Sequence, residues 1–310
     1  MIFITNEQVK EVLTYEKLVD ALFDAFCSEY EMPLRHHHFY TVPGIEENTL
    51  ILMPSWTDKY LGVKQVVLAP GNSLNNMPAT SALYTLSDVK TGKAFAVMNA
   101  EELTSRRTAC TSALAAKYLA RKDASTLLVL GGGKVAKHLV PAHAAVRDYK
   151  KIIVWMRNKD KFEEFRDELS VPQDLVVFAD NLEEAVREAD VISCATMTVE
   201  PLVRGEWVKS GAHLDLVGSY KPDMREVDDE AILKSRIFVD SRMGALHETG
   251  ELAIPIKTGI IKESDVVADI TELCLRKNKG RENENEVTIF KSAGLAIEDL
   301  AAALLTYELI

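Results

Sequence analysis

From Asn6 to Tyr30 the apolar residues Val9, Val12, Leu13, Leu18, Leu22, Phe23 and Phe26 recur at intervals of three and four, so helices are expected to open the chain. Between Phe39 and Leu68 the pattern shortens into β-rich runs, TLILMPSW and LGVKQVVL, punctuated by Pro43, Gly44, Pro54 and Gly62; this predicts a sheet with hairpins. ATSALYTLSD and KAFAVMNA predict two more strands around a turn at Asp88 to Gly92, and LTSRRTACTSALAAKYLA an alanine-rich helix.

The character changes at Ser125. Short, nearly continuous apolar runs now alternate with polar, helix-periodic segments: TLLVLGG, KIIVWMR, DLVVFAD, DVISCAT, AHLDLVG and RIFVDSR. Alternation within a strand is needed only when one sheet face meets water, so these runs predict parallel strands covered on both faces, a doubly wound α/β domain over residues 120–285. It is expected to end in KNKGRENENE, whose composition buries little and suggests a mobile loop. The last segment, VTIFKSAGLAIEDLAAALLTYELI, reads as a strand, a turn and an amphipathic helix, placed back on the first domain. The expected division is therefore 1–119 plus 286–310, and 120–285.

Composition narrows the partners. A chain of 310 residues with 47% hydrophobic content can bury the cores of two domains. A net charge of −11 provides no overall positive field, so neither nucleic acid nor an anionic membrane surface is expected to bind. Charged residues interrupt MIFITNEQVKEVLTYEKLVD every few positions, which removes the apolar stretch of a signal peptide or membrane span; a cytoplasmic location is expected. Cys27, Cys110, Cys194 and Cys274 form no C-x-x-C pair and read as reduced, core-filling thiols.

Gly131, Gly133 and Ala136 form G-x-G-x-x-A directly after TLLVL and before KVAKHLVPAHAAV, the strand-turn-helix setting of a Rossmann dinucleotide site. Gly131 allows the tight turn. Gly133 lets backbone N–H groups, with those of Lys134 and Val135, approach a pyrophosphate at the helix start, and Ala136 lets helix and strand pack closely. Three adjacent glycines alone would mean no more than a flexible turn; six strands around them point to nucleotide. Pro141 should kink this helix or mark a delayed start. An Asp or Glu ending the second strand would accept from a ribose 2′-hydroxyl, but here the strand ends Trp155, Met156, Arg157, Asn158, Lys159. NADP(H) is therefore expected over NAD(H), the bland alternative being that Arg157 and Lys159 are solvated surface charges.

Several separated segments together make the chain resemble the ornithine cyclodeaminase and mu-crystallin family: PLRHHH from Pro33, GVKQVVLAPGN from Gly62, LTSRRTACTSALAAKYLAR from Leu103, LGGGKVAKH from Leu130, GSYKPDMREVD from Gly218 and FKSAGLAIEDLAAA from Phe290. The resemblance implies a doubly wound Rossmann domain inserted into an α+β substrate-binding and dimerisation domain formed by both chain ends, and hence a homodimer. It also implies that Arg35, Lys64 and Arg107 hold an amino- or imino-acid carboxylate beside the nicotinamide. Independently, a carboxylate suits bidentate arginine, and an unpaired ammonium at Lys64, inside an apolar strand, would be expensive. Of the neighbours Arg106 and Arg107, one is expected to form only an ordinary ion pair. By the same resemblance Lys291, Ser292 and Gly294 close the nicotinamide end, with Asp299 nearby. Thr80, Cys194, Thr196, Val217 and Gly218 are expected to line the cofactor crevice, as strand ends of such sheets do.

Two departures bear on the substrate. Ornithine cyclodeaminases carry an Asp where this chain has Tyr220, the nearest carboxylate being Asp223, and the Thr of a Pro-Thr pair is replaced by Ala79, followed by Thr80. The segment is more similar to family members that reduce cyclic ketimines. The resulting expectation is hydride transfer from NADPH to Δ1-pyrroline-2-carboxylate or Δ1-piperideine-2-carboxylate, giving proline or pipecolate. An ornithine cyclodeaminase, another amino-acid dehydrogenase of the family and an NADPH-retaining binding protein stay open as alternatives. His36, His37 and His38 tempt a metal reading, yet strand neighbours point to opposite faces and no third ligand is apparent, so no metal is expected. His36 is instead expected to hydrogen-bond beside Arg35.

Overall fold

The computed structural model describes residues 1–75 and 77–310 and divides into two units, residues 1–107 with 295–310 and residues 108–294. The boundary falls within the helix Glu101–Leu119. In the first unit six strands, β1 (Ile2–Ile4), β2 (His36–Tyr40), β3 (Asn48–Trp56), β4 (Tyr60–Leu68), β5 (Thr80–Asp88) and β6 (Ala94–Asn99), form one sheet in the order β1-β6-β5-β4-β3-β2. All neighbours are antiparallel except β1 and β6. Alternation is clear on β5, where Ala82, Tyr84 and Leu86 are buried between exposed Leu83 and Thr85. The helix Ala296–Leu309 packs on this inner face against β3, β4 and β5, and the Ser55 hydroxyl donates to the Ala296 carbonyl at 2.9 Å.

The opening helical period resolves into two helices, Asn6–Val12 and Tyr15–Cys27, the first started by a reciprocal Thr5/Gln8 capping box. A strand precedes them. Helices were expected to open the chain, but β1 does so, through a parallel pairing with β6 that buries Ile4 and that three residues cannot signal by periodicity.

The second unit holds β7 (Thr126–Leu130), β8 (Lys151–Trp155), β9 (Val176–Phe178), β10 (Val191–Cys194), β11 (His213–Leu216), β12 (Ser235–Val239), β13 (Val266–Asp269) and β14 (Val287–Lys291). They form an eight-stranded, wholly parallel sheet in the order β13-β12-β14-β11-β10-β7-β8-β9. The six anticipated runs supply β7 to β12. The strand VTIFK was expected on the first domain; it is instead β14, buried along its whole length between β11 and β12. Burial on both sides is what an uninterrupted apolar run demands, and the nearby charged stretch hid it. On one face Leu128, Leu130, Ile192, Leu214, Leu216 and Ile289 share a core with Val186, Ile232, Leu246 and Leu252 from the covering helices. Chain order reverses at β7, which lies between β8 and β10, and a ligand crevice opens at such a switch point beyond the strands' carboxyl ends.

Two local expectations change. The stretch around Arg281 is irregular but bonded throughout rather than loose: its Nε donates to the Leu119 carbonyl at 2.7 Å and one terminal nitrogen to the Glu286 carbonyl at 2.6 Å. Pro141 does not delay its helix, which runs Lys134–Ala144 from Gly133 as N-cap. Among the described residues no helix is long and apolar enough to cross a membrane, and no His/Cys/Asp/Glu group is placed to hold a metal ion.

Candidate active site

The nucleotide end of the second unit is built by the turn after β7. Gly131 has φ +128°, and a Cβ there would stand 2.7 Å from the Ala195 carbonyl oxygen, so both backbone conformation and close approach require glycine. Gly133 differs: it is extended, and a Cβ would meet nothing within 4 Å. That open space above the amino end of a helix is what a pyrophosphate needs, with Lys134 exposed, Val135 half-buried and Ala136 buried against the turn. These residues fit a dinucleotide.

At the carboxyl end of β8, Arg157 is exposed and has no partner among the described residues. Lys159 is committed: it forms an ion pair with Asp180 and lies 5.2 Å from the Phe178 ring centroid. Asn158 accepts from the Asp160 N–H at 3.1 Å.

The first unit holds a buried ionic cluster. Lys64 on β4 is 2% exposed, and its Nζ lies 2.9 and 2.8 Å from the two carboxylate oxygens of Asp299. The Arg107 Nε donates to Asp299 at 2.9 Å and a terminal nitrogen to Glu298 at 2.6 Å. Burial works against the Arg107 charge, but Asp299 and Glu298 outweigh it and raise its pKa, so it stays ionised. Burial and then Arg107 push Lys64 down to about 8 despite Asp299, with Arg35 adding to the fall. Arg35 therefore acts on the same volume. Lys64 and Arg107 bring two buried cations together beside Asp299 and Glu298, with Arg35 near enough to act on Lys64, a setting suited to a substrate anion. Tyr84 lies opposite Lys64 in the β4–β5 register, and Gly62 makes room for it: a Cβ there would stand 1.8 Å from the Tyr84 hydroxyl oxygen. Gly62→Ala is expected to lower stability by about 1–3 kcal/mol through overpacking, measured by urea unfolding.

A model of the ornithine cyclodeaminase/mu-crystallin family matches residues 1–310. The chain belongs to this family. It is 35% identical over 308 residues to Delta(1)-pyrroline-2-carboxylate reductase of Colwellia psychrerythraea, spanning 98% of this chain and 97% of the relative. The structure of Thermococcus litoralis Delta(1)-pyrroline-2-carboxylate reductase in complex with NADH and L-proline superimposes with a TM-score of 0.92 at 33% identity, covering 99% of this chain and 97% of that one. An archaeal alanine dehydrogenase dimer with bound NAD gives 0.89 at 31% identity, covering 99% and 94%.

Within this family member several expected residues take other positions. Arg106 is the ordinary ion pair, bonded to Glu102 at 2.7 Å and stacked on Tyr15. His36 faces Leu52, whose partner on β4 is Gln65, so strand alternation puts it on the sheet face opposite Lys64 rather than beside it. Thr80 is exposed at the start of β5 in the antiparallel sheet, so the argument from parallel strand ends does not reach it. Cys194 is fully buried in the hydrophobic core, its thiol pushed well above the usual pKa by burial, and lines no crevice with its side chain. Lys291 is also buried; its Nζ donates to the Leu216 and Ser219 carbonyls at 3.1 and 2.8 Å. Ser292 and Gly294 both donate to Asp240, at 3.1 and 2.6 Å, and Gly294 has φ +80°. Thr196, Val217 and Gly218, half-buried, do follow the carboxyl ends of β10 and β11. Glu298, Asp240, Glu226 and Glu251 are buried as well, and carboxylates of this kind have no local sequence signal until the fold supplies their partners.

Proposed function

We propose that this chain is a nicotinamide-dependent reductase acting on a C=N bond, and that its substrate is a cyclic ketimine carrying a carboxylate, Δ1-pyrroline-2-carboxylate or Δ1-piperideine-2-carboxylate, reduced to proline or pipecolate. The observation that carries this reading is the buried Lys64–Arg107 pair, fixed by Asp299 and Glu298, with Arg35 acting on it. Arg107 and Lys64 hold the ring carboxylate by charge-assisted hydrogen bonds, and their rigid tethers keep the imine carbon in one orientation. A reduced dinucleotide bound at the Gly131–Ala136 turn would supply the hydride to the imine carbon, and the imine, arriving protonated on nitrogen, brings the proton that balances it. Tyr220 stands where ornithine cyclodeaminases carry an Asp, and the nearest carboxylate, Asp223, is exposed three residues away, which favours reduction over cyclodeamination. The test is nicotinamide oxidation with Δ1-pyrroline-2-carboxylate, run beside ornithine. Rapid oxidation with the imine and no turnover of ornithine is expected. Ammonia release from ornithine at constant dinucleotide overturns the reading.

NADPH is the proposed preference, and it rests on Arg157 alone, because Lys159 is held by Asp180. Arg157→Ala is expected to reduce the NADPH-to-NADH ratio of kcat/KM by about tenfold, with NADH turnover within about twofold of wild type. An unchanged ratio means that Arg157 does not meet a 2′-phosphate. A homodimer is proposed as well, through the outer face of the first unit's sheet, where Tyr40 is 40% and Leu83 38% exposed; light scattering checks it.

A further inference from the structure

The loops that follow β10 and β11 are joined through one side chain. The Glu226 Oε1 accepts from the Thr196 N–H and the Thr196 hydroxyl, both at 2.7 Å, and its Oε2 accepts from the Gly218 N–H at 2.7 Å. The loops touch at this point: a Cβ on Gly218 would lie 1.9 Å from the Thr196 carbonyl oxygen and 2.4 Å from Glu226 Oε1. Glu226 is fully buried and is itself held by a second buried carboxylate, Glu251, which accepts from the Glu226 N–H at 2.8 Å, the Val227 N–H at 3.1 Å and the Ser219 hydroxyl at 2.9 Å. Lys291 completes the group by donating to both ends of the same loop, at Leu216 and Ser219.

Two carboxylates and one ammonium cost a buried site several kcal/mol unless every lone pair is used, and apolar side chains would close two loops with less penalty. The loops concerned are those beside the switch point. Ala195, the neighbour of Thr196, is also the residue against which Gly131 packs, so the tether reaches the dinucleotide turn itself.

We propose that Glu226 is a positioning residue for dinucleotide binding, stapling the Thr196 and Gly218 loops at the spacing the nicotinamide half requires. The inference rests on the dinucleotide reading above. The ionised carboxylate accepts all three contacts as charge-assisted hydrogen bonds; the neutral acid can be accommodated only by pointing its proton at the Thr196 hydroxyl, which lies 3.3 Å from the Thr198 hydroxyl and can turn toward it, and the remaining bonds are then the weaker neutral kind. Burial and then Glu251 raise Glu226 to about 8, against the pull of Lys291 and the Thr196 donors. The titratable groups facing it are Glu251, Lys291 on β14 and Cys194 on β10, whose thiol stays neutral. Deprotonation therefore tightens the staple, and the dinucleotide dissociation constant falls as pH rises through about 8.

The experiment measures NADPH and NADH dissociation constants by nicotinamide fluorescence on the full chain, across pH 7 to 9 at about half-unit steps, for wild type, Glu226→Gln and Thr196→Val. Glu226→Gln is expected to weaken binding about tenfold at the upper pH and to lose the pH dependence, with kcat at saturating dinucleotide changed less than about threefold. Thr196→Val, which removes the hydroxyl and keeps the N–H, weakens binding about threefold. Binding by Glu226→Gln within about twofold of wild type, with the wild-type pH profile, overturns the proposal. If that variant does not fold, unchanged binding by Thr196→Val overturns it. Wild-type protein that binds neither nucleotide removes the dinucleotide reading itself, a failure visible without any variant.

Discussion

Lys64→Met should lower kcat/KM for the imine by about a hundredfold or more while the dinucleotide dissociation constant stays within about twofold. The reasoning is electrostatic. Lys64 and Arg107 meet the same carboxylate, Asp299, so the one anion is shared between two buried cations and each keeps donor capacity for a substrate carboxylate. Methionine fills the volume without the charge, so the loss is of one charge-assisted contact in a desolvated site. Arg107 still pairs with Asp299 in the variant, which limits the penalty of breaking a buried pair to less than the usual ~3–5 kcal/mol. Thermal unfolding run in parallel separates this cost from the kinetic one. The wild-type pH profile provides a second readout. Lys64 is charged below about 8 and loses its proton above it, so kcat/KM should decline through that pH. The decline in kcat should come later, because a bound carboxylate favours the charged lysine. Wild-type turnover by Lys64→Met places the carboxylate elsewhere.

The parallel strands were legible because burial on both faces leaves continuous apolar runs, and the glycine turn was legible because its neighbours in sequence are also its neighbours in space. Lys64 belongs with these: a lysine at the centre of GVKQVV conflicts with its surroundings, and conflict is a local signal. The distinction between Arg106 and Arg107 was not legible. The two are adjacent on one helix, and what separates them is Glu102 four residues away for one and Asp299, nearly two hundred positions on, for the other. Strand β14 was misplaced for a related reason. Its partners β11 and β12 precede it by some fifty residues or more, and the nearby KNKGRENENE stretch looked like a domain boundary although Arg281 anchors it by hydrogen bonds. Glu226 illustrates the limit most clearly, since REVDD reads as surface charge until Thr196 and Gly218 are brought to it by the fold.

Gly133→Val is expected to leave the fold intact and to raise the dinucleotide dissociation constant about a hundredfold or more. The two glycines of the turn separate folding from binding. Gly131 has a backbone conformation that side chains rarely adopt and a carbonyl within 2.7 Å of any Cβ, so substitution there damages the fold and says little about the ligand. Gly133 is extended, with open space where its Cβ would be, and valine tolerates that backbone well. The variant loses only the modest preference for glycine at a helix N-cap, a few tenths of a kcal/mol to about 1. Its isopropyl group occupies the space above the free N–H groups of the helix Lys134–Ala144, where a pyrophosphate would otherwise accept from them. A normal unfolding curve together with lost fluorescence titration by both NADPH and NADH is therefore the expected pair of results. A normal curve with normal titration means that the phosphates are held away from this helix terminus, and the vacant space at Gly133 then has another purpose.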